Sequence, residues 1–209
     1  MINQIENSHF TNKPELKAKL QYLKDCWLFL PEQIKNLPKE LINNWAQQIS
    51  SQIDQLSHGH MFACPVEEVQ ADLIQGMAMA LTSPDQKQVL SFIKKMAWPN
   101  SHGTACWEVG SLFTVPSVQN LGVGRYMVNA FCKHSALMSV SEPVISVVTT
   151  DNTPSLAVFR ACQWAEIQPA TEECVNFSAY DVNGANIFDN WGLPSSVFVL
   201  PKLSVKKTT

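Results

Sequence analysis

The strongest constraint on this chain is a junction between two kinds of local structure. An apolar, strand-like run, Cys106–Val115, is halted by Pro116, and soon afterwards Gln119-Asn120-Leu121-Gly122-Val123-Gly124 opens an amphipathic helix. A strand that passes through glycines directly into a helix belongs to an α/β protein, because the turn needs backbone conformations that side chains resist. The helix start also has chemistry. Its first N–H groups lack intrahelical acceptors and sit at the positive end of the helix dipole, so they form a seat for phosphate or pyrophosphate.

The periodicity on either side predicts one domain over 1–209, with 1–57 mostly helical and 60–200 containing the sheet. Leu16, Leu20, Leu23, Trp27 and Leu30 predict a helix over Pro14–Leu30. Leu41, Ile42, Trp45, Ile49, Ile53 and Leu56 predict a second over Leu37–Leu56, entered through Pro38 and separated from the first by Pro31. Met61–Val66 and Leu73–Leu81 read as strands joined by an acidic loop at Glu67-Glu68, and Ser83-Pro84 reads as the start of a helix over Asp85–Trp98. The helix after the glycine turn carries Val123, Met127, Ala130, Phe131, His134 and Leu137 on one stripe. Pro143–Thr150 is the near-continuous apolar run of a strand covered on both faces. A helix over Pro154–Cys162 and strands at Val175–Val182 and Val197–Leu200, around an Asn183-Gly184 turn, complete a mixed sheet.

Composition excludes several function classes. A net charge of −3, a pI of about 5.9 and no basic cluster interleaved with aromatics argue against nucleic acid. No apolar run approaches the ~20 residues that span a bilayer, so no membrane partner is expected. Met1–Asn12 lacks the charged and apolar regions of a signal peptide, which predicts a cytoplasmic protein. The six cysteines (Cys26, Cys64, Cys106, Cys132, Cys162, Cys174) form no C-x-x-C pair and read as reduced thiols. His58-Gly59-His60 has no ligand set around it, so no metal is expected. No Lys follows Gly124, which excludes a P-loop, and no acidic residue lies on Val144–Thr150 to hold a dinucleotide ribose.

Three segments in order make Trp107–Trp164 resemble the core of the GNAT acetyltransferase superfamily. Trp107-Glu108-Val109-Gly110-Ser111-Leu112-Phe113-Thr114-Val115-Pro116 is similar to that family's fourth strand with its terminal proline. Gln119-Asn120-Leu121-Gly122-Val123-Gly124 fits its acetyl-CoA signature. Asn152, then Val158-Phe159-Arg160 and Gln163-Trp164, resembles the segment after its fifth strand, where Gln163 stands in place of the usual glycine. Met61–Val66 and Leu73–Leu81 fit the preceding hairpin, with Gly76 where the family often has one.

The resemblance implies an α/β GNAT fold: a mixed, mostly antiparallel sheet splayed between strands 4 and 5, with helices on both faces. It implies acetyl-CoA as cosubstrate. The pantetheine arm would meet the backbone of Phe113, Thr114 and Val115, and the pyrophosphate the N–H groups of Asn120, Leu121, Gly122, Val123, Gly124 and Arg125. Gln119, Asn152, Ser155 and Phe159 complete the cofactor-binding set.

Direct transfer to a primary amine needs that amine neutral. At a pKa of about 10.4 only ~1 in 2,500 is neutral at pH 7, so a general base has large leverage. Glu108, six residues before the bulge-like strand end, coincides with the glutamate base of the family's histone-type members. The N–H of Thr114 or Val115 would serve the developing oxyanion. The family's Tyr that protonates the departing thiolate is replaced by Phe159. Ser155, Tyr126 and Tyr180 are alternative donors, and a thiol of pKa ~8.5 can also leave unassisted. Cys162 lies near the expected acyl end and reads as a structural thiol.

The acceptor region would be formed by Pro31–Leu56 and Asn183–Trp191. Trp27, Trp45, Trp98, Trp107 and Trp191 read mostly as core or helix-packing residues. Three readings follow: an N-acetyltransferase of a small amine, a protein-lysine acetyltransferase, and a catalytically silent CoA-binding or regulatory module. A Glu108 facing bulk water or held in a salt bridge favours the silent module. The N-terminal helices have three roles open to them: a lid over the acceptor, a homodimer contact or a cover for the sheet. We read them as the cover.

Overall fold

A computed structural model describes residues 14–56, 64–100, 103–134, 140–167 and 195–201. Expectations at His58, His60, Leu137, Cys174, Val175–Val182, Asn183-Gly184 and Trp191 lie outside them. The elements are α1 (Pro14–Asp25), β1 (Trp27–Phe29), α2 (Pro31–Ile34), α3 (Lys39–Leu56), α4 (Val66–Ile74), β2 (Ala78–Thr82), β3 (Val89–Asn100), β4 (Gly103–Thr114), a 3-10 turn (Pro116–Val118), α5 (Val123–His134), β5 (Val144–Thr149), α6 (Thr153–Ala161), β6 (Ala165–Ile167) and β7 (Ser195–Val199). The strands follow the order β1-β2-β3-β4-β5-β7-β6 in one sheet. β4 and β5 run parallel, registered at Trp107↔Val144 and Glu108↔Ile145. The β1–β2, β2–β3, β5–β7 and β6–β7 pairs are antiparallel. The sheet is therefore mixed, as expected.

The chain divides into two units, Met1–Lys94 with Ser111–Phe131, and Lys95–Gly110 with Cys132–Thr209. In the first, Ile42, Trp45, Ala46, Ile49 and Ile53 of α3 bury against Phe29, Val69, Leu73, Ala78, Ala80, Val89, Phe92 and Phe113. The helix thus covers the sheet, as read from its stripe. Its polar side chains also anchor the β2–β3 hairpin. Trp45 Nε1 donates to the Gln86 carbonyl at 2.8 Å and Gln48 Nε2 to the Lys87 carbonyl at 2.7 Å, while Gln48 Oε1 accepts from the Val89 N–H at 3.0 Å.

Three local expectations are corrected here. The helix expected over Pro14–Leu30 stops at Asp25, and Trp27, Leu28 and Phe29 pair with Thr82, Leu81 and Ala80 as an edge strand. The expected acidic loop Glu67-Glu68 is the first turn of α4, whose Val69 and Leu73 point into the core. The preceding hairpin is therefore β2 with β3; of the strand expected over Met61–Val66, residues 61–63 lie outside the described residues and Val66 opens α4. The helix expected over Asp85–Trp98 is strand β3, paired Ala80↔Phe92 and Leu81↔Ser91. On the far side of β3 a 12-residue β4 follows, as anticipated for the family's fourth strand.

In the second unit β5 is buried along nearly its whole length, between β4 and β7. α6 begins where Asn152 Oδ1 accepts the Ser155 N–H at 3.2 Å, an N-cap that satisfies one orphan donor. It ends at Ala161, and Gln163 beyond the Cys162 cap has a φ of +62°, the left-handed conformation usual for glycine. The Trp164 N–H returns to the Phe159 carbonyl at 3.3 Å, so the turn into β6 is retained without the glycine. Relieving that strain in Gln163→Gly should raise the unfolding free energy by about 1 kcal/mol in urea denaturation.

Candidate active site

The first unit holds a continuous strand–turn–helix from Phe113 to Arg125. β4 enters it through Ser111, whose φ of +51° inside a strand marks a bulge-like irregularity. Beyond that point Val115 donates its N–H to the Leu90 carbonyl at 2.9 Å. Alternate residues of a strand direct their amides to opposite edges, so the Thr114 amide faces the other way. Of the two oxyanion donors expected, Val115 thus has its N–H committed to β3. Thr114 is held in place, since Ser91 Oγ lies 3.1 Å from its hydroxyl and donates to the Phe113 carbonyl at 2.6 Å.

The turn is built from two left-handed residues, Asn120 at φ +61° and Gly122 at φ +76°. Asparagine tolerates this conformation and glycine accepts it freely. Leu121 and Val123 are buried, so they anchor the turn through their side chains and offer a ligand only backbone. The first intrahelical bond is that of Tyr126 N–H to the Gly122 carbonyl, 3.0 Å. The N–H groups of Val123 and Gly124 therefore have no acceptor within the helix, and no acidic residue lies in its first turn. That end suits an anion. Gln119 Nε2 donates to the Thr114 carbonyl at 2.8 Å, closing the turn onto the strand end.

A Cβ built on Gly122 meets nothing within 4 Å. This glycine is favoured by its φ, and no atom of the described residues crowds the space beside it. Gly122→Ala should therefore cost about 1–2 kcal/mol in denaturant unfolding. A larger cost in anion or cofactor affinity than in stability would show that the open space serves a ligand.

Glu108, Asn152, Ser155 and Phe159 belong to the second unit. Glu108 is 3% exposed and accepts at Oε2 from Trp98 Nε1, 2.7 Å away. It does not face bulk water. A Cβ built on Gly110 would stand 3.5 Å from Oε1, an ordinary van der Waals contact. Asn152 caps α6 through its side chain, and the N–H of Ser155 is the donor it satisfies. Phe159 is buried, stacked on Phe198 with centroids 5.4 Å apart and edge-on to Trp164 at 5.1 Å. Its ring packs in the core of this unit.

Among the alternative proton donors, Tyr126 is half-buried and burial raises its phenol above the usual value, so it stays protonated; Tyr180 lies outside the described residues. None of the five described cysteines is in a disulfide. Burial, with Cys162 adding to it, pushes the Cys132 thiol to about 12. The tryptophans divide by role. Trp45 is wholly buried, Trp27 is 53% exposed on β1, Trp107 stacks under Lys95 Nζ at 5.0 Å, and Trp98 holds Glu108. That last role escaped the sequence, although a buried indole N–H needs an acceptor and so carries a signal. Among the described residues no helix is long and apolar enough to cross a membrane.

The fold and the turn together define a class, and sequence comparison agrees. Residues 23–164 match the acetyltransferase (GNAT) family, and the chain belongs to it. No curated protein matches it significantly in sequence. Among solved structures it is similar to yncA, an acetyltransferase of Salmonella typhimurium described as putative and solved with its cofactor acetyl-CoA. The TM-score is 0.57 and the identity 8%, covering 88% of this chain and 96% of that one. Arabidopsis thaliana NAA60 with a bisubstrate analogue gives a TM-score of 0.53 at 14% identity, covering 84% and 97%. Diaminobutyrate acetyltransferase EctA of Paenibacillus lautus, with L-2,4-diaminobutyric acid and coenzyme A, gives 0.53 at 10% identity, covering 85% and 95%. At these identities the likeness is one of fold.

Proposed function

We propose that the chain is an acetyl-CoA-dependent N-acetyltransferase that acts on a primary amine by direct transfer. The observation that carries this reading is the start of α5. There, two left-handed residues and a helix end without acidic side chains present unsatisfied N–H groups to an anion. The pyrophosphate rests on Asn120 to Arg125, and the pantetheine runs along Phe113–Val115. The cofactor bound to the Salmonella neighbour is the one this proposal carries over.

In the reaction the amine nitrogen attacks the thioester carbonyl carbon and its proton passes to Glu108, directly or through water. The Thr114 N–H donates to the carbonyl oxygen as negative charge develops on it, and the carbon–sulfur bond then breaks. The thiolate of coenzyme A needs no dedicated acid, because its pKa of ~8.5 makes it a fair leaving group. A second reading, a silent CoA-binding module, draws support from Phe159, which stands where the family's tyrosine would and is buried.

Calorimetry with acetyl-CoA, paired with a thiol-release assay over small amines and lysine peptides, separates the two. Binding with turnover supports the transferase. Binding without turnover on any acceptor supports the silent module, and absence of binding overturns both.

A further inference from the structure

Ser91 stands on β3, wholly buried, and its Oγ–H donates to the Phe113 carbonyl on β4 at 2.6 Å. A serine hydroxyl has one proton, so across the 3.1 Å to Thr114 Oγ1 it is Thr114 that donates. The two hydroxyls therefore form a short chain that ends on a backbone oxygen. All three residues belong to the first unit.

That oxygen belongs to the peptide unit joining Phe113 to Thr114. A trans peptide is planar, with its C=O and N–H directed to opposite sides. Holding the Phe113 carbonyl toward β3 therefore aims the Thr114 N–H at the other edge of β4. The next peptide is tied at both ends: the Val115 N–H meets the Leu90 carbonyl at 2.9 Å, and the Thr114 carbonyl accepts from Gln119 Nε2 at 2.8 Å. Just before this pair, the left-handed Ser111 breaks the regular geometry of β4, and such a break disrupts the ladder locally. A side-chain donor on β3 supplies a fixed point there.

On the reading of the Thr114 N–H as the oxyanion donor, we propose that Ser91 is a positioning residue for the transfer. By tying the Phe113 carbonyl it sets the plane of the peptide and so the direction of the Thr114 N–H. Ser91 acts only through the peptide it holds. Its own hydroxyl, spent on that carbonyl, takes no part in the proton transfers.

The test follows backbone amides by nitrogen-15 NMR as acetyl-CoA is added to the full chain, wild type and Ser91→Ala. In the wild type the resonances of Val123 and Gly124, at the anion seat, and of Thr114 should all move. In Ser91→Ala the first two should keep their shifts while that of Thr114 shrinks by half or more. Equal shifts in the two proteins overturn the positioning role. Loss of all three together in Ser91→Ala marks a general contribution to the fold and overturns it as well. A wild type in which Val123 and Gly124 move but Thr114 does not removes the donor and with it the proposal. A wild type in which none of the three moves overturns the proposed cosubstrate itself, which keeps that failure distinct from the others.

Turnover gives a second readout with any amine that the thiol-release assay yields. The kcat of Ser91→Ala should fall about 10-fold at unchanged amine KM, short of the 10²–10³ lost when an oxyanion donor is removed outright. An undiminished kcat, or a change confined to the amine KM, overturns the proposal. Should alanine unfold the chain, Ser91→Cys nearly keeps the volume and offers only a weak S–H donor. A smaller Thr114 shift beside intact Val123 and Gly124 shifts then supports the role, and an undiminished one overturns it.

Discussion

Glu108→Gln should lower kcat by about 10²–10⁴ while leaving acetyl-CoA affinity unchanged, the range that general-base catalysis supplies. Glutamine has the same shape, and its carbonyl oxygen still accepts from Trp98 Nε1, so the packing around position 108 is kept. What is lost is the ability to take a proton from an amine that is about 1 in 2,500 neutral at pH 7. The variant's rate should therefore climb steeply between pH 7 and 9, as solution supplies the neutral amine the enzyme no longer makes. Steady-state kinetics with a fixed amine checks both parts. An undiminished kcat would remove Glu108 from the mechanism, whereas a rise in acetyl-CoA Kd would place it in binding.

Lys94→Ala should cost about 3–5 kcal/mol of stability at pH 7, the range for breaking a buried ion pair from one side. Lys94 is 2% exposed on β3, with Nζ 2.6 Å from Glu68 Oε1 and 2.8 Å from Asp72 Oδ2 on α4. Burial opposes its charge, yet the bonds to Asp72 and Glu68 outweigh that and hold its pKa above the usual lysine value. Its contribution is complete below the unfolded value of about 10.4 and fades only as pH rises through the higher folded value.

Asp72 shifts the other way from most carboxylates. Burial raises its pKa against the pull of Lys94. Without the lysine that rise grows, and a carboxylate whose folded pKa lies above the unfolded one loses stability as pH increases. The Lys94→Ala deficit should therefore shrink from pH 7 towards pH 4. Glu68 is half-exposed and can rehydrate, which sets the cost near the lower end of the range. Urea denaturation at the two pH values measures it, and a deficit independent of pH would show that Asp72 is not the group left stranded. Adding Asp72→Asn should return part of the loss.

Near the turn, local sequence carried most of the information. Pro116, Gly122 and Gly124 stop a strand, turn the chain and open a helix by backbone sterics alone, so β4, the turn and α5 appear where the residues place them. The same holds for α6, whose cap at Asn152 is a short-range hydrogen bond. Glu108 was legible as a candidate through the resemblance, which implies a glutamate base at that place on the fourth strand.

Elsewhere the pattern was ambiguous or misread. Val89, Phe92, Ile93 and Met96 satisfy a helical period, but Leu90 and Ser91 are buried as well, so β3 shows no alternation that would betray a strand. Its pairing with β2 decided the matter. α4 did carry a helical signal in Val66, Val69 and Leu73, behind Pro65 and with two glutamates in the first turn, and reading Glu67-Glu68 as a loop passed over it.

By itself, then, the sequence determined the strand–turn–helix, because steric and hydrogen-bonding rules act over a few residues. Only the tertiary structure decided that Trp27–Phe29 is a strand, that Phe159 is core, that Val115's N–H belongs to β3 and that Trp98 ties Glu108. Each of these depends on a partner brought close by the fold, and for a hydrogen bond or a buried ring it is the partner that fixes the role.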